Sequence, residues 1–249
     1  MNLTNIIAKR PKKTIYRDGN LNIKLFNEEY SAADVLNEAL NLSIVAEAGV
    51  RVPQLYEVLK INGCWAIVQE HIEGENLEKL LLQNPERAEE YLSLLVSVQL
   101  AMHRRTASRL RHHTDKMQGK INQSGLDATT RYELHTRLEG IPKHHKLLHG
   151  DLAPSNVLVM PNGESCVIDW SHATQGNGGA DAARTYLLFR LEGKDEWAEQ
   201  YLSLFCEKSD TARQYIQRWL AIVAASQLVK NRPEERALLL SWANVAEYQ

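Results

Sequence analysis

Two stretches of the sequence decide the fold: Leu147-Leu-His-Gly-Asp-Leu-Ala-Pro-Ser-Asn-Val-Leu-Val159 and, further along, Val167-Ile-Asp-Trp170. In the first, Asp151 and Asn156 lie five residues apart, in a loop that runs into a predicted strand. Asp169 ends the next predicted strand, thirteen residues after Asn156. A hairpin of these strands can place the oxygens of Asn156 and Asp169 at one end, and Mg²⁺ prefers such carboxylate and amide ligands. The stretch therefore indicates a metal–nucleotide site in which Asp151 faces an acceptor hydroxyl.

Length, composition and charge exclude several classes of protein. At about 150 residues per domain, a chain of 249 residues makes one or two domains, or one domain with two lobes. An apolar content of 44% and a charged content of 24% exclude a disordered chain. The net charge of −2 gives no electrostatic reason to expect a nucleic-acid partner.

The cysteines and the apolar runs indicate the compartment. Cys64, Cys166 and Cys206 are far apart and odd in number, which favours reduced thiols over a disulfide framework or a zinc site. We find no signal peptide, and the most apolar run, Trp219–Val229, is shorter than the roughly 20 residues that span a bilayer. We therefore expect a soluble, cytoplasmic protein with no membrane association.

The pattern of predicted elements changes near Gly74. Before it, two hairpins, with turns at Asp18-Gly-Asn20 and Asn62-Gly63, flank a helix over 31–48. From Asn76 onward the apolar residues recur at helical spacing, interrupted by one short pair of strands around residues 156–170. These patterns predict an α+β fold, with residues 1–73 as a small antiparallel β-sheet N-lobe and residues 74–249 as a larger α-helical C-lobe.

The motifs resemble those of one known superfamily. His149-Gly-Asp-x-x-x-x-Asn156, followed by Ile168-Asp-Trp170, resembles the aminoglycoside phosphotransferase and choline kinase superfamily. Protein kinases proper carry His-Arg-Asp and Asp-Phe-Gly instead. The resemblance implies a two-lobed protein-kinase-like fold. It also implies a kinase that uses ATP (GTP is possible) and Mg²⁺ to phosphorylate a hydroxyl of an aminoglycoside, an amino alcohol or a sugar-like acceptor.

The resemblance also implies roles for individual residues. Lys24 would contact the nucleotide phosphates, and Glu38, fourteen residues later, would form an ion pair with Lys24. Asp151 would be the catalytic residue, and Asn156 and Asp169 would hold Mg²⁺. A hinge whose backbone would hold adenine is formed by Gln69, Glu70, His71 and Ile72. Two further residues, His149 and Asp181, would support the catalytic loop.

Each residue alone has a simpler interpretation. Lys24 alone would be a surface lysine, Glu38 a polar position on a helix, and Asp151 a turn former. Asp169 could cap the segment that follows it. Only the order and spacing of the set favour a kinase.

The sequence departs from the family in its phosphate-covering turn, which falls near Ala8–Lys13, contains no glycine and offers four basic side chains instead.

The acceptor and the partners are less determined. The predicted C-terminal helices carry four acidic residues, Glu192, Asp195, Glu196 and Glu199. They would favour a cationic acceptor if they lined the site, although a solvated helix face is the favoured interpretation. The basic run Arg104–Lys120 is likewise interpreted as a solvated face rather than as a site for an acidic partner. A transition-metal site at the histidine pairs His112-His113 and His144-His145 is disfavoured.

The interpretation favoured overall is a small-molecule kinase whose partners are a nucleotide and a small-molecule alcohol. Two alternatives remain: a protein Ser/Thr kinase-like enzyme and a catalytically inactive nucleotide-binding scaffold. The segment Ser171–Gly179 is short for holding a peptide, which counts against the first. The glycine-free turn keeps the second open. The oligomeric state is left open.

Overall fold

A computed structural model describes residues 1–243. The chain divides into two compact units. The first unit comprises Met1–Leu82 and Pro154–His172. The second unit comprises Gln83–Ala153 and the residues from Ala173 onward. The predicted boundary between residues 1–73 and 74–249 stays a prediction.

The first unit is built on a five-stranded antiparallel sheet of order β1-β2-β3-β5-β4. Its strands are β1 (Ile6–Arg10), β2 (Lys13–Asp18), β3 (Leu21–Phe26), β4 (Leu55–Ile61) and β5 (Cys64–Glu70). Gly19 has a φ of 58°, and Asn62 and Gly63 have φ values of 50° and 84°. Tight hairpin turns favour such positive φ values, and this is why the two turns were readable from the sequence.

Helix α1 (Ala32–Glu47) packs against this sheet. Its first turn is capped by Ser31, whose hydroxyl accepts a hydrogen bond of 3.1 Å from the Asp34 N–H. Phe26, Val35 and Ile67 form the apolar core between helix and sheet. A small second sheet joins β6 (Glu75–Asn76), β8 (Val157–Val159) and β9 (Ser165–Val167).

The second unit is mainly helical. Helix α2 (Leu77–Gln83) lies at the point where the chain leaves the first unit. The helices of the second unit are α3 (Ala88–His103), α4 (His113–Gln123), α5 (Ala128–Glu139), α6 (Gly178–Leu191), α7 (Asp195–Ser209), α8 (Arg213–Leu228) and α9 (Pro233–Ala243). Helix α6 is buried along almost its whole length and packs on α7 and α8. Two short strands, β7 (Lys146–Leu148) and β10 (Thr174–Gly176), pair beside it.

The predicted α+β fold is confirmed, and the differences from prediction are local. A strand over Ile6–Arg10 precedes the first predicted one, because pairing with β2 compensates for its weak sequence pattern. In the predicted pair of strands around residues 156–170, the second strand stops at Val167 instead of reaching Asp169, since Asp169 has a φ of 67° and Trp170–His172 form a 3₁₀ turn. None of the helices within residues 1–243 is both long and apolar enough to cross a membrane.

Candidate active site

A buried lysine–glutamate pair lies at the centre of the first unit. Lys24 on β3 is 5% exposed and Glu38 on α1 is 4% exposed, and the Lys24 ammonium donates a hydrogen bond to Glu38 Oε1. Asp169 Oδ1 lies 3.8 Å from Lys24 Nζ. Burial lowers the pKa of Lys24, but the attraction of Glu38 and Asp169 outweighs this effect and leaves the pKa raised. Lys24 therefore stays a charged ammonium group at any working pH.

Helix α1 also holds the segment that follows Asp169. Asn41 lies three residues after Glu38, on the same face of α1, and its amide donates to the backbone oxygen of Trp170 at 3.2 Å. The Trp170 ring is buried, and its N–H donates to the Val167 oxygen at 3.0 Å. Asp169 adopts a left-handed conformation, which Asp tolerates better than most side chains. The fold thus fixes the carboxylate of Asp169 beside Lys24.

A second lysine reaches the same carboxylate. Lys13, the first residue of β2, places its ammonium 3.0 Å from Asp169 Oδ2 and 3.2 Å from Oδ1. Only 14% of the Lys13 side chain is exposed, so this pair is partly shielded from water. Lys13, one of the four basic side chains that the glycine-free turn offers, therefore lies at the predicted metal ligand Asp169.

Asn156 and Asp169 offer the donor chemistry of a hard cation. The Asn156 backbone oxygen accepts the Ile168 N–H at 2.9 Å, which places both residues at one end of the β8–β9 hairpin. Carboxylate and amide oxygens suit Mg²⁺, which takes few protein ligands. Within residues 1–243, no group of three or more His, Cys, Asp or Glu side chains is arranged to hold a metal ion.

The predicted hinge residues lie at the end of β5 and just beyond it. Arg51 holds the Glu70 carboxylate through two bonds of 2.7 and 2.9 Å. The backbone N–H of Glu70 donates to Gln54 and that of His71 to Asn20, both at 2.8 Å. Gln69 and Ile72 are buried. The backbone N–H groups of Glu70 and His71 are thus already hydrogen-bonded within the first unit. A nucleotide base at this segment would therefore meet mainly the carbonyl groups and side chains of these two residues.

In the second unit, Asp181 holds the loop that carries Asp151. The Asp181 carboxylate is buried and accepts the Gly150 N–H at 2.7 Å and the His149 N–H at 3.3 Å. Helix α3 adds His103 at 3.1 Å and Gln99 at 3.3 Å. Burial raises the pKa of Asp181, but these hydrogen bonds and the nearby imidazoles outweigh it and hold the pKa well below its usual range. An ionised Asp181 therefore fixes the loop.

Two further contacts orient the loop. The fully buried His149 accepts the Asp151 N–H at its ring nitrogen Nδ1, at 3.2 Å. Arg184 on α6 donates to Asp151 Oδ1 from Nη2 at 2.8 Å and from Nε at 3.2 Å. Its other nitrogen donates to Gln227 at 2.8 Å, so α8 holds the guanidinium in place. The Asp151 carboxylate is thus oriented by two helices.

Residues 13–216 match the model of the phosphotransferase enzyme family, a segment that includes every residue described above from Lys13 to Arg184. The chain belongs to the phosphotransferase enzyme family. It is a phosphotransferase.

Solved structures share the fold of this phosphotransferase. Aminoglycoside phosphotransferase APH(4)-Ia is 16% identical with a TM-score of 0.71, covering 96% of this chain and 89% of that one. Choline kinase LicA from Streptococcus pneumoniae is 16% identical with a TM-score of 0.65, covering 98% and 95%. An aminoglycoside-3'-phosphotransferase of type VIII is 19% identical with a TM-score of 0.63, covering 89% and 92%. The protein-kinase-like fold is thereby confirmed, and no curated protein sequence matches the chain.

Three polar contributors to the site of this phosphotransferase were not predicted from the sequence. Arg184 follows Asp181 by three residues in a segment of small side chains, and a lone arginine there was a usable signal. Gln99 and His103 are four residues apart on the buried face of α3, and this spacing was also readable. Their common partner could not be read, because Asp181 lies 78 residues from His103.

The acidic residues of the C-terminal helices of this phosphotransferase have local partners. Asp195 pairs with Arg190 at 2.7 Å, and Glu192 pairs with Lys194 at 2.8 Å. Glu199 accepts the Tyr186 hydroxyl at 2.6 Å. These three residues are exposed, and such pairs are typical of a helix surface, as expected of a solvated helix face.

A cavity of about 810 Å³ lies between α5, α6, α8 and α9 of this phosphotransferase. Arg137, Arg190 and Arg218 line it, and the rings of Tyr186 and Trp242 stack at its wall with centroids 5.8 Å apart. Tyr186 and Arg190 follow Arg184 by two and six residues, which is roughly 200° and 240° around the helix axis. The cavity is therefore on a different face of α6 from Arg184.

Proposed function

We propose that this phosphotransferase transfers the γ-phosphoryl group of ATP, bound with Mg²⁺, to a hydroxyl of an aminoglycoside, an amino alcohol or a sugar-like acceptor. The observation that carries the proposal is the cluster of Lys24, Glu38 and Asp169 in a chain that also holds Asp151 through Asp181 and Arg184. An APH(4)-Ia variant has been crystallised with AMP-PNP and hygromycin B, which supports a nucleotide and a small-molecule acceptor here.

In this proposal the first unit holds the nucleotide phosphates. Lys24, kept charged and fixed by Glu38, contacts the phosphates, while Asn156 and Asp169 hold Mg²⁺. The bound cation would neutralise charge that develops on the phosphates during transfer. Lys13 supplies an ammonium group where the family turn would supply backbone N–H groups. Residues 69–72 hold the base.

Asp151 acts on the acceptor. It orients the acceptor hydroxyl and accepts its proton as the oxygen attacks the phosphorus atom. Arg184 bonds to Oδ1 and so fixes the direction of the carboxylate. The transition state of phosphoryl transfer is loose, so positioning and charge neutralisation supply most of the rate gain.

The test is a thermal shift with ATP and with GTP, each with and without Mg²⁺, on the wild type, Asp169→Asn and Asp151→Asn. A nucleotide at 100 times its dissociation constant stabilises the fold by roughly 2.7 kcal/mol. We expect Asp169→Asn to lose the Mg²⁺-dependent part of the shift. Asp151→Asn should keep the shift and lose phosphoryl transfer by several orders of magnitude.

Glu164→Gln is the matched control, since it removes one exposed carboxylate from the same β8–β9 hairpin. It should behave as the wild type does. The absence of a shift with either nucleotide, or a shift that Asp169→Asn retains in full, would contradict the proposed site.

A further inference from the structure

The cavity of about 810 Å³ in the second unit lies apart from the residues that hold Asp151. On α8, Arg218 lines the cavity, whereas Gln227, nine residues later, holds the Arg184 guanidinium. Nine residues of helix span about 14 Å and bring the side chain to the opposite side of the axis. On α6, Tyr186 lines the cavity and lies roughly 200° around the axis from Arg184. The cavity is therefore distinct from the Arg184–Asp151 contact.

The charges that line the cavity are mainly positive. They come from three arginines and one glutamate, namely Arg137, Arg190, Arg218 and Glu133. Arg190 is balanced by Asp195, whose Oδ1 lies 2.7 Å from Arg190 Nε. Glu133 lies one helical turn before Arg137 on α5 and attracts its guanidinium. The charge of Arg218 is left in surplus, so the cavity favours an anion.

Two of the arginines have polar groups to spare. Among residues 1–243, no hydrogen bond or ion pair engages the guanidinium of Arg137 or of Arg218. Arg137 is half-buried, and burial lowers its pKa, as does the like charge of Arg218, whereas Glu133 acts in the opposite direction. Two guanidinium groups that repel each other in one cavity are stabilised when an anion binds between them.

The wall of the cavity is aromatic. The rings of Tyr186 and Trp242 are stacked, with an interplanar angle of 17° and centroids 5.8 Å apart. The Arg190 guanidinium lies 5.5 Å from the Trp242 centroid, and the Tyr186 hydroxyl donates to Glu199 at 2.6 Å, so the pair is held in place. Sites for small organic ligands combine such apolar walls with a few polar groups in cavities of roughly 300 to 1,000 Å³.

We propose that this cavity is a second ligand site, which binds a small organic anion: a planar ring that carries a carboxylate or phosphate group. The anionic group binds Arg137 and Arg218, and the ring packs against the Tyr186–Trp242 pair. Arginine suits this role because its planar guanidinium donates two parallel hydrogen bonds to a carboxylate or a phosphate. The proposal goes beyond the proposed function, since none of these residues is assigned there to ATP, Mg²⁺ or the acceptor.

The experiment compares small ring compounds that differ in charge: benzoate, phenyl phosphate, benzyl alcohol and benzylamine. Ligand-observed NMR measures their binding in the presence of Mg²⁺ and AMP-PNP, which keep the nucleotide site occupied. We expect benzoate or phenyl phosphate to bind at least about tenfold tighter than benzyl alcohol, and benzylamine to bind weakest. The tighter of the two anions identifies the preferred group. Inorganic phosphate, which lacks the ring, should bind at least about fivefold more weakly than phenyl phosphate.

Variants locate the binding. Arg137→Ala and Arg218→Ala should each weaken binding of the anion by roughly five- to tenfold, because each removes one charged hydrogen-bond donor. Arg236→Ala is the matched control, since this arginine is an exposed residue of α9 that does not line the cavity. Trp242→Leu should weaken binding of phenyl phosphate and leave that of inorganic phosphate unchanged. Urea unfolding checks that each variant keeps its fold.

Four results would overturn the proposal. They are binding of benzyl alcohol or benzylamine as tight as that of both anions, no binding of either anion, anion binding that Arg137→Ala and Arg218→Ala both retain in full, and anion binding that AMP-PNP abolishes. The last result would place the anion at the nucleotide site. All four are separate from the test of the proposed function, which depends on the nucleotide shift and on Asp169.

Discussion

The Asp169 carboxylate lies close to two lysine side chains of the first unit. Its carboxylate lies 3.8 Å from Lys24 and 3.0 Å from Lys13, and Lys24 is also paired with Glu38. Two ammonium groups therefore face two carboxylates. A divalent cation would bind the same oxygens that Lys13 contacts, so the two compete unless phosphate groups draw the lysine away.

This competition gives a prediction for Lys13→Met. We expect the variant, without nucleotide, to bind Mn²⁺ several-fold more tightly than the wild type, because the cation no longer displaces an ammonium group. Electron paramagnetic resonance of free Mn²⁺ measures the affinity. Lys12→Met is the control, since Lys12 is exposed and pairs with Glu29 at 3.7 Å. An unchanged affinity in Lys13→Met would show that Lys13 does not compete.

The buried Lys24–Glu38 pair gives a second prediction. Glu38→Gln leaves a buried ammonium short of its partner, and such losses cost about 3 kcal/mol or more of unfolding free energy. The double variant Lys24→Met with Glu38→Gln should recover most of this loss, because no buried charge remains. Urea unfolding measures both, with the exposed Glu57→Gln as control. Equal destabilisation in the double variant would mean that packing, rather than charge, sets the cost.

Among the elements, α1 connects the sheet to the segment after β9. Its face carries Glu38, which reaches β3, and Asn41, which reaches the backbone of Trp170. One helix thereby positions both Lys24 and Asp169. Ser31 caps the first turn of this helix. Because α1 carries both Glu38 and Asn41, the cap supports the site as well as the stability of the helix.

We therefore expect Ser31→Ala to lower the free energy of unfolding by about 1 kcal/mol, the usual effect of losing an N-terminal cap. Ser43→Ala is the comparison, since its hydroxyl bonds to the Ala39 oxygen within the same helix at 3.0 Å and caps nothing. Chemical denaturation measures both variants. A loss in Ser43→Ala as large as that in Ser31→Ala would rule out capping as the cause.

On the scale of the whole molecule, stability depends on buried groups that titrate. Burial, with Lys116 nearby, lowers the pKa of His113 to about 4, against the weaker opposing attraction of Asp181. His113 packs edge-on against the Trp219 ring of α8, at 5.6 Å between centroids. Its folded pKa lies below its unfolded pKa, so its neutral form is favoured in the folded protein. That stability is complete above about pH 6.5 and is lost as the pH falls towards 4.

The expected result is a loss of roughly 2 to 3 kcal/mol of unfolding free energy from His113 between pH 6.5 and 4.5, at about 1.4 kcal/mol per pH unit. Urea unfolding across this range measures it. His113→Gln should remove this part of the pH dependence, whereas His112→Gln, at the exposed neighbouring position, should keep it. A pH dependence in His113→Gln as steep as in the wild type would contradict the assignment.

Patterns within a few residues were readable from the sequence. The Asn62-Gly63 turn, the helix over 31–48 and the 151–156 spacing depend on local geometry, and all three belong to segments that the structure describes. The short strands β7 and β10 were not readable, since three-residue strands have no periodicity and exist only through their mutual pairing.

The sequence by itself determined the α+β fold, because helices and strands follow local periodicity, and the order of the polar residues through which the chain resembles its family. Only the tertiary structure decided that Lys13 meets Asp169 across 156 residues and that Arg184 meets Asp151 across 33. Charge pairing of this kind depends on which distant side chains share a low-dielectric environment, and no local pattern records that.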